Sequence, residues 1–119
     1  PRTDTEPADT PFHARVWAGE AVLCGDFNTA PDTDAYRVLV EASAGMSAAF
    51  VDAWALAHGP GPRPATFRVH EPGETPIACD FIFVTPGLAS AVRGVRLDAD
   101  TRLSDYQPLV LELGAPPRL

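Results

Sequence analysis

The stretch that decides the fold reads Ala-Val-Leu-Cys-Gly-Asp-Phe-Asn at residues 21–28, an apolar run that stops abruptly at a carboxylate and an amide. We predict a strand over residues 21–25, because the run is short, apolar and bounded by turn residues. Gly25 lets the backbone turn or approach a ligand closely. Asp26 and Asn28 point to the same side of an extended chain. There Asp26 can accept a proton or bind a cation, and Asn28 can donate to an oxyanion. The alternative interpretation is a strand that ends in an ordinary Asx turn.

The composition limits the size and class of the protein. A chain of 119 residues, 45% hydrophobic and 21% charged, is typical of one soluble globular domain. No apolar run approaches the roughly 20 residues that span a bilayer. The chain begins at Pro1, which indicates a processed product or a fragment. The lack of a visible signal peptide favours a cytoplasmic location.

The charge balance bears on the partners. The net charge is -7, and all nine basic residues are arginines. Nucleic-acid binding normally requires a basic patch, so the acidic balance argues against a DNA-repair enzyme. Clustered carboxylates would suit a divalent cation, and the same charge would also serve solubility alone.

The cysteines and histidines do not indicate a zinc site or a disulfide framework. Cys24 and Cys79 both lie in predicted strands, where a small buried hydrophobic role is expected. A bridge between them is left open. The three histidines are predicted to be surface residues: His13, His58 and His70.

The remaining sequence alternates turn-rich and apolar segments. The ordered domain is predicted over residues 20–113, between a flexible leader at 1–19 and a tail at 114–119. A helix is predicted from 34 to 44, with Asp32 or Thr33 as its N-cap and Gly45 at its end. A second short helix is predicted at 50–56. Further strands are predicted at 66–69, 77–85, 91–97 and 109–113.

Three aspartates lie beside predicted strands: Asp26 at a strand exit, Asp80 inside a strand and Asp105 in the loop before the last strand. Each is flanked by apolar strand sequence, so each is expected near the rim of a sheet. Clustered carboxylates raise one another's pKa unless a metal neutralises them. The three together therefore favour a divalent cation site, although each alone suits a turn or a cap.

Three motifs carry a resemblance to a known family. They are Gly-Asp-Phe-Asn at 25–28, Asp-Phe-Ile-Phe at 80–83 and Ser-Asp-Tyr-Gln-Pro-Leu at 104–109. In this order the chain resembles the C-terminal half of the endonuclease/exonuclease/phosphatase superfamily. That superfamily includes exonuclease III-type repair endonucleases, DNase I, neutral sphingomyelinases and inositol polyphosphate 5-phosphatases. The resemblance implies an α/β fold: half of a four-layer sandwich, a mostly antiparallel sheet with one or two helices on one face.

The resemblance also implies metal-assisted hydrolysis of a phosphate ester by an activated water. Asp26 would position or activate the water, and Asn28 would hold a phosphoryl oxygen. Asp80 would orient the imidazole that the family has where this chain has Tyr106. The implied cofactor is Mg²⁺ or Mn²⁺, bound by Asp105 together with Asp26 and Asn28.

Two departures from the family bear on activity. A phenol with a reference pKa near 10 is a poor general base compared with an imidazole near 6.5, so Tyr106 predicts an inactive or slowed site. The first half of the sandwich, with its own metal ligand, is not identifiable. We therefore expect a missing companion segment, or self-association through an exposed sheet face.

These features leave three hypotheses for the function. The first is a metal-dependent phosphoesterase, with this chain a fragment that is inactive alone. The second is a degenerate, non-catalytic homologue that acts as a binding or structural module. The third is an unrelated small α/β binding domain, which would require three motif matches by chance. The substrate is left open among DNA, lipid, inositol phosphate and other esters.

Overall fold

The computed structural model describes residues 19–41 and 49–115. Its elements, in chain order, are β1 (Val22–Asp26), α1 (Asp34–Val40), β2 (Val51–Asp52), α2 (Ala53–His58), β3 (Asp80–Val84), a 3₁₀ helix (Pro86–Ala91), β4 (Val92–Leu97) and β5 (Leu109–Leu113). The strands form two antiparallel sheets, one ordered β1-β3-β2 and one made of β4 and β5. The predicted α/β class is confirmed, and the arrangement fits half of a four-layer sandwich. No helix in the described part of the chain has the length and apolarity needed to cross a membrane.

Strand β3 is the centre of the fold because both of its faces are covered. Ile82 and Val84 point to one face and form a core with Ala53 of α2 and Val95 of β4. Partly buried side chains extend this core, among them Val51, Trp54, Leu88, Val92, Leu109 and Leu111. The run of β-branched and aromatic residues in β3 is therefore explained by burial on both sides.

The opposite face of β3 carries an aromatic cluster. Phe81 and Phe83 are both almost fully buried, and their ring centroids lie 5.6 Å apart. Phe27 packs edge-on against them, and Tyr36 and Phe50 complete the cluster from α1 and the segment before β2. Edge-on and offset aromatic pairs of this kind add stabilisation beyond the area that they bury.

Strand β1 is an edge strand, and all five of its residues are exposed. Val22 and Leu23 keep 43% and 37% of their surface accessible. The expectation that both cysteines are buried is half wrong: Cys79 is buried, but Cys24 is exposed because it lies on this edge. Both thiols are free, so the bridge that the sequence left open is not formed.

The predicted elements are largely present, with two differences in type. Residues 66–69 are not a strand: Arg68 adopts a positive φ of 60°, which breaks the extended backbone, and Phe67 makes only isolated bridges to Ile77 and Tyr106. The segment predicted as one helix at 50–56 divides into β2 and α2, with Asp52 as the N-cap of α2.

The other differences concern element boundaries. The strand predicted from 77 begins only at Asp80. Helix α1 has Thr33 as its N-cap and ends at Val40. Its predicted continuation to 44 and its end at Gly45 lie outside the described residues, as do nearly all of the predicted leader and tail.

Candidate active site

The end of strand β1 presents Asp26 between two hydrogen-bond donors. The backbone N–H of Asn28 donates to Asp26 Oδ1 at 2.8 Å, which is the Asx turn considered from the sequence. The Tyr106 hydroxyl donates to Asp26 Oδ2 at 2.7 Å, across 80 positions of the chain. Gly25, the residue before the turn, has a φ of 148° that residues with a side chain rarely adopt, and Asn28 within the turn has a φ of 52°. The Asx turn therefore does not exclude a functional site, because its carboxylate is the one that Tyr106 contacts.

The hydrogen bond between Tyr106 and Asp26 raises the pKa of the phenol and lowers that of the carboxylate. The bond to Asp26 is the largest cause that raises the pKa of the Tyr106 phenol, to about 12. The N–H of Asn28 and then the Tyr106 hydroxyl lower the pKa of Asp26. At neutral pH the phenol is therefore a neutral donor and Asp26 is a carboxylate. Asp26 is a base beside Tyr106, but both shifts oppose proton transfer to it, which disfavours a tyrosine nucleophile.

Asp80 lies next to Asp26, because the two aspartates are partners in the β1–β3 register. Thr66 Oγ1 donates to Asp80 Oδ1 at 2.6 Å, and the Cys79 thiol approaches the same oxygen at 3.5 Å. Within the described residues Asp80 receives no hydrogen bond from Tyr106. The structure therefore places Asp80 beside the site with its carboxylate bound to Thr66, and places the Tyr106 hydroxyl on Asp26.

One group of side chains has the spacing of a metal site. Ligand atoms of Asp26, Cys79 and Asp80 all lie within 4.8 Å of one another. Burial is the largest cause that raises the pKa of the Cys79 thiol, to about 11, so this thiol is protonated at neutral pH. Mg²⁺ prefers carboxylate and carbonyl oxygens to sulfur. The donor set thus fits a hard cation through its two carboxylates and not through Cys79.

Asp105 lies apart from this group. Its carboxylate is exposed and approaches Ser104 Oγ at 3.5 Å. It lines a cavity of about 300 Å³ with Arg68 and His70. Its backbone carbonyl accepts from the Arg68 N–H at 3.0 Å, which fixes the chain at the residue before Tyr106. The three predicted acids therefore divide into Asp26 with Asp80, and Asp105 at a neighbouring cavity.

Tyr106 borders two cavities at this end of the sheet. The larger, of about 400 Å³, is also lined by Asp80, Cys24 and Ser104. The smaller, of about 200 Å³, is also lined by Asp26 and Asn28. The ring of Tyr106 packs on Phe67 with centroids 4.6 Å apart. The phenol is thus held in place at both its ring and its hydroxyl.

Two residues of the site were not assigned to it from the sequence. Thr66 was predicted only as part of a strand at 66–69, and Cys79 only as a buried hydrophobic residue. Phe67 pairs with Ile77 across the segment between the predicted strands at 66–69 and 77–85. Extending that antiparallel register would have placed Thr66 near the start of the Asp80 strand. The position of the Cys79 thiol had no such signal.

Comparison with known proteins identifies the family. The sequence model described as the Endonuclease/Exonuclease/phosphatase family matches residues 4–105. The chain therefore belongs to this family, whose members act on phosphate esters. The match includes the motifs at 25–28 and 80–83 and stops one residue before Tyr106. Searches of curated proteins and of solved structures gave no match.

Proposed function

We propose that this chain carries one part of the catalytic site of a metal-dependent phosphoesterase, which hydrolyses phosphodiesters or phosphomonoesters. The observation that carries the proposal is the contact of 2.7 Å between Tyr106 and Asp26, which joins two family motifs from opposite ends of the chain. The surroundings of this contact support a functional role, because Asp26 is exposed, borders a cavity and lies beside Asp80.

Asp26 is the group best suited to hold the attacking water. It is exposed, ionised at neutral pH and placed at the edge of a cavity that it shares with Asn28. The Asn28 amide can donate to a phosphoryl oxygen there. The one hydrogen of the neutral Tyr106 hydroxyl is donated to Asp26, where it orients the carboxylate. Asp26 and Asp80 would hold the cation, with Asn28 and Asp105 as further candidates from the family resemblance. A bound Mg²⁺ or Mn²⁺ would supply positive charge for the phosphoryl group.

The same geometry supports a slow enzyme over a fast one. With a pKa of about 12, the Tyr106 phenol does not act as a base near pH 7. We therefore propose that the chain is a fragment that is inactive alone and slow in its parent protein. The second candidate function is a non-catalytic module that binds phosphate esters. The same Tyr106 contact favours it, because the phenol is bound to Asp26 and is not a base, while cavities remain beside it.

The sequence predicted association through an exposed sheet face, but both faces of β3 are covered in the described residues. We propose instead that a partner covers the exposed edge of the sheet at β1. Val22 and Leu23 expose apolar surface on β1, and such surface is normally buried by another segment or subunit. The occupant is either the other half of the sandwich or a second copy of this chain. Light scattering of this chain alone should show self-association, and adding the companion half should replace it with a one-to-one complex. A stable monomer without either would contradict the proposal.

The function is tested by hydrolysis in the full-length parent protein. We expect turnover of bis-4-nitrophenyl phosphate or 4-nitrophenyl phosphate that requires Mg²⁺ or Mn²⁺ and stops with a chelator. Asp26→Asn should lower the rate about 100-fold or more, the usual contribution of a positioned base. Asp34→Asn is the matched control, because Asp34 is an exposed aspartate whose ion pair lies within α1. Hydrolysis that survives Asp26→Asn would overturn the assignment. Phosphate-ester binding without hydrolysis would support the second candidate.

A further inference from the structure

We propose that Thr66 is a positioning residue that fixes the orientation of Asp80 at the site. The proposal rests on the proposed function for its kinetic consequence, but not for its structural one. Thr66 keeps only 2% of its surface exposed, so its hydroxyl has no access to bulk water. A buried hydroxyl is costly unless it is hydrogen-bonded, and its bonds therefore show what it does.

Within the described residues, every polar contact of the Thr66 hydroxyl is made with Asp80 at the start of β3 or with Cys79 just before it, whose Sγ lies at 4.0 Å. It donates to Asp80 Oδ1 at 2.6 Å. It accepts from the backbone N–H groups of Asp80 and Cys79, both at 3.3 Å. A hydroxyl has one hydrogen to donate, and here Asp80 receives it. The two N–H groups keep the oxygen in place, so the hydrogen has one direction in which to point.

The consequence for Asp80 is that its two carboxylate oxygens differ. Oδ1 is bound by Thr66 and approached by the Cys79 thiol. Oδ2 accepts no hydrogen bond within the described part of the chain, and Asp80 lines the cavity of about 400 Å³ that Tyr106 also borders. Thr66 therefore leaves one oxygen of Asp80 for whatever enters that cavity. Without the hydroxyl, the carboxylate plane would be free to turn away from this orientation.

A second threonine, Thr85, makes similar contacts away from the site and serves as a comparison for Thr66. Thr85 directly follows the C-terminal end of β3. Its hydroxyl donates to Glu20 at 3.0 Å and accepts from the Ala21 N–H at 3.0 Å. It too joins a hydroxyl to a carboxylate and a backbone N–H, but it touches no residue of the site. Thr85→Val is therefore the matched control for Thr66→Val.

The test combines crystal structures and kinetics of the full-length parent protein. Thr66→Val keeps the shape and removes the hydroxyl, Thr66→Ser keeps the hydroxyl, and Thr66→Cys supplies a weaker donor should the valine variant fail to fold. We expect the Asp80 carboxylate to rotate or take two orientations in the valine and cysteine variants and to stay fixed in the serine and Thr85→Val variants. With Mg²⁺ present, kcat should fall at least about tenfold in the valine variant with KM changed less than threefold. The serine variant should restore kcat.

The outcomes separate the inference from the proposed function. An unchanged Asp80 carboxylate in the valine or cysteine variant would overturn the role of Thr66. A rotated carboxylate with unchanged kcat would also overturn it, because the orientation would then have no consequence. Absence of hydrolysis in every protein, the wild type included, would overturn the phosphoesterase, while the orientation of Asp80 would still decide what Thr66 does.

Discussion

The chain contains two tyrosine–aspartate pairs with the same hydrogen bond and different surroundings. Tyr36 donates to Asp52 Oδ2 at 2.7 Å, and Tyr106 donates to Asp26 Oδ2 at 2.7 Å. Each phenol has its pKa raised to about 12. The bond length and the pKa of the phenol therefore do not distinguish a structural pair from a functional one.

The charge and the burial around each pair do distinguish them. Asp52 is buried at 4% exposure, forms an ion pair with Arg63 and caps helix α2 through the Trp54 N–H. Asp26 is exposed and forms no ion pair within the described residues, where its second donor is a turn N–H. A buried carboxylate with a cation and a cap stabilises the fold. An exposed carboxylate beside cavities and a second aspartate is available to a ligand.

The largest expected effect is on stability, and it falls on the buried pair. Asp52→Asn leaves the Arg63 guanidinium without its counter-charge at 11% exposure, which should lower the free energy of unfolding by about 3 kcal/mol. Asp26→Asn should leave the unfolding midpoint unchanged, because its carboxylate is exposed. Urea denaturation of the two variants in the full-length protein measures the difference. Equal losses would show that both pairs support the fold.

A smaller effect is expected in the titration of the phenols. Burial is the largest cause at Tyr36, whereas the hydrogen bond to Asp26 is the largest at Tyr106. Asp26→Asn should therefore return the pKa of Tyr106 towards 10 and leave that of Tyr36 near 12. Phenolate absorbance followed in Tyr36→Phe and Tyr106→Phe backgrounds assigns each transition. A fall in the pKa of Tyr36 in Asp26→Asn, with the pKa of Tyr106 unchanged, would contradict this difference in cause.

The same shifts set the alkaline limit of stability. Each phenol binds its proton more tightly in the folded state, with a pKa of about 12, than in the unfolded state near 10. The folded state therefore holds more protons between these values, and stability falls as the pH rises from 10 through 12. The denaturation midpoint should decline as the pH rises from 9 to 12. The decline should be smaller in Tyr36→Phe, because that variant lacks one of the two phenols. A midpoint that rises over this range would contradict the sign.

The sequence predicted the strands around the site better than the contacts within it. Strand β1 and the apolar β3 follow from composition and turn residues, and the three motifs identified the family. The partner of Asp80 was missed because Thr66 lies beside the isolated bridge between Phe67 and Ile77 and not in a regular strand, which the positive φ of Arg68 interrupts. The separation of Asp105 from Asp26 likewise depends on how the loop before β5 closes on the Arg68 N–H, which no local pattern encodes.

Replacement of Tyr106 by histidine tests the central claim most directly. The claim is that this site has the family's architecture and has, at residue 106, a phenol that donates to Asp26 and does not serve as a base. Metal-dependent hydrolysis by the full-length parent protein is measured at pH 7 to 8 for the wild type, Tyr106→His and Tyr106→Phe. We predict a rate at least about tenfold higher for the histidine variant, because an imidazole titrates near this pH, and no gain for phenylalanine. Equal rates for tyrosine and histidine would contradict the account.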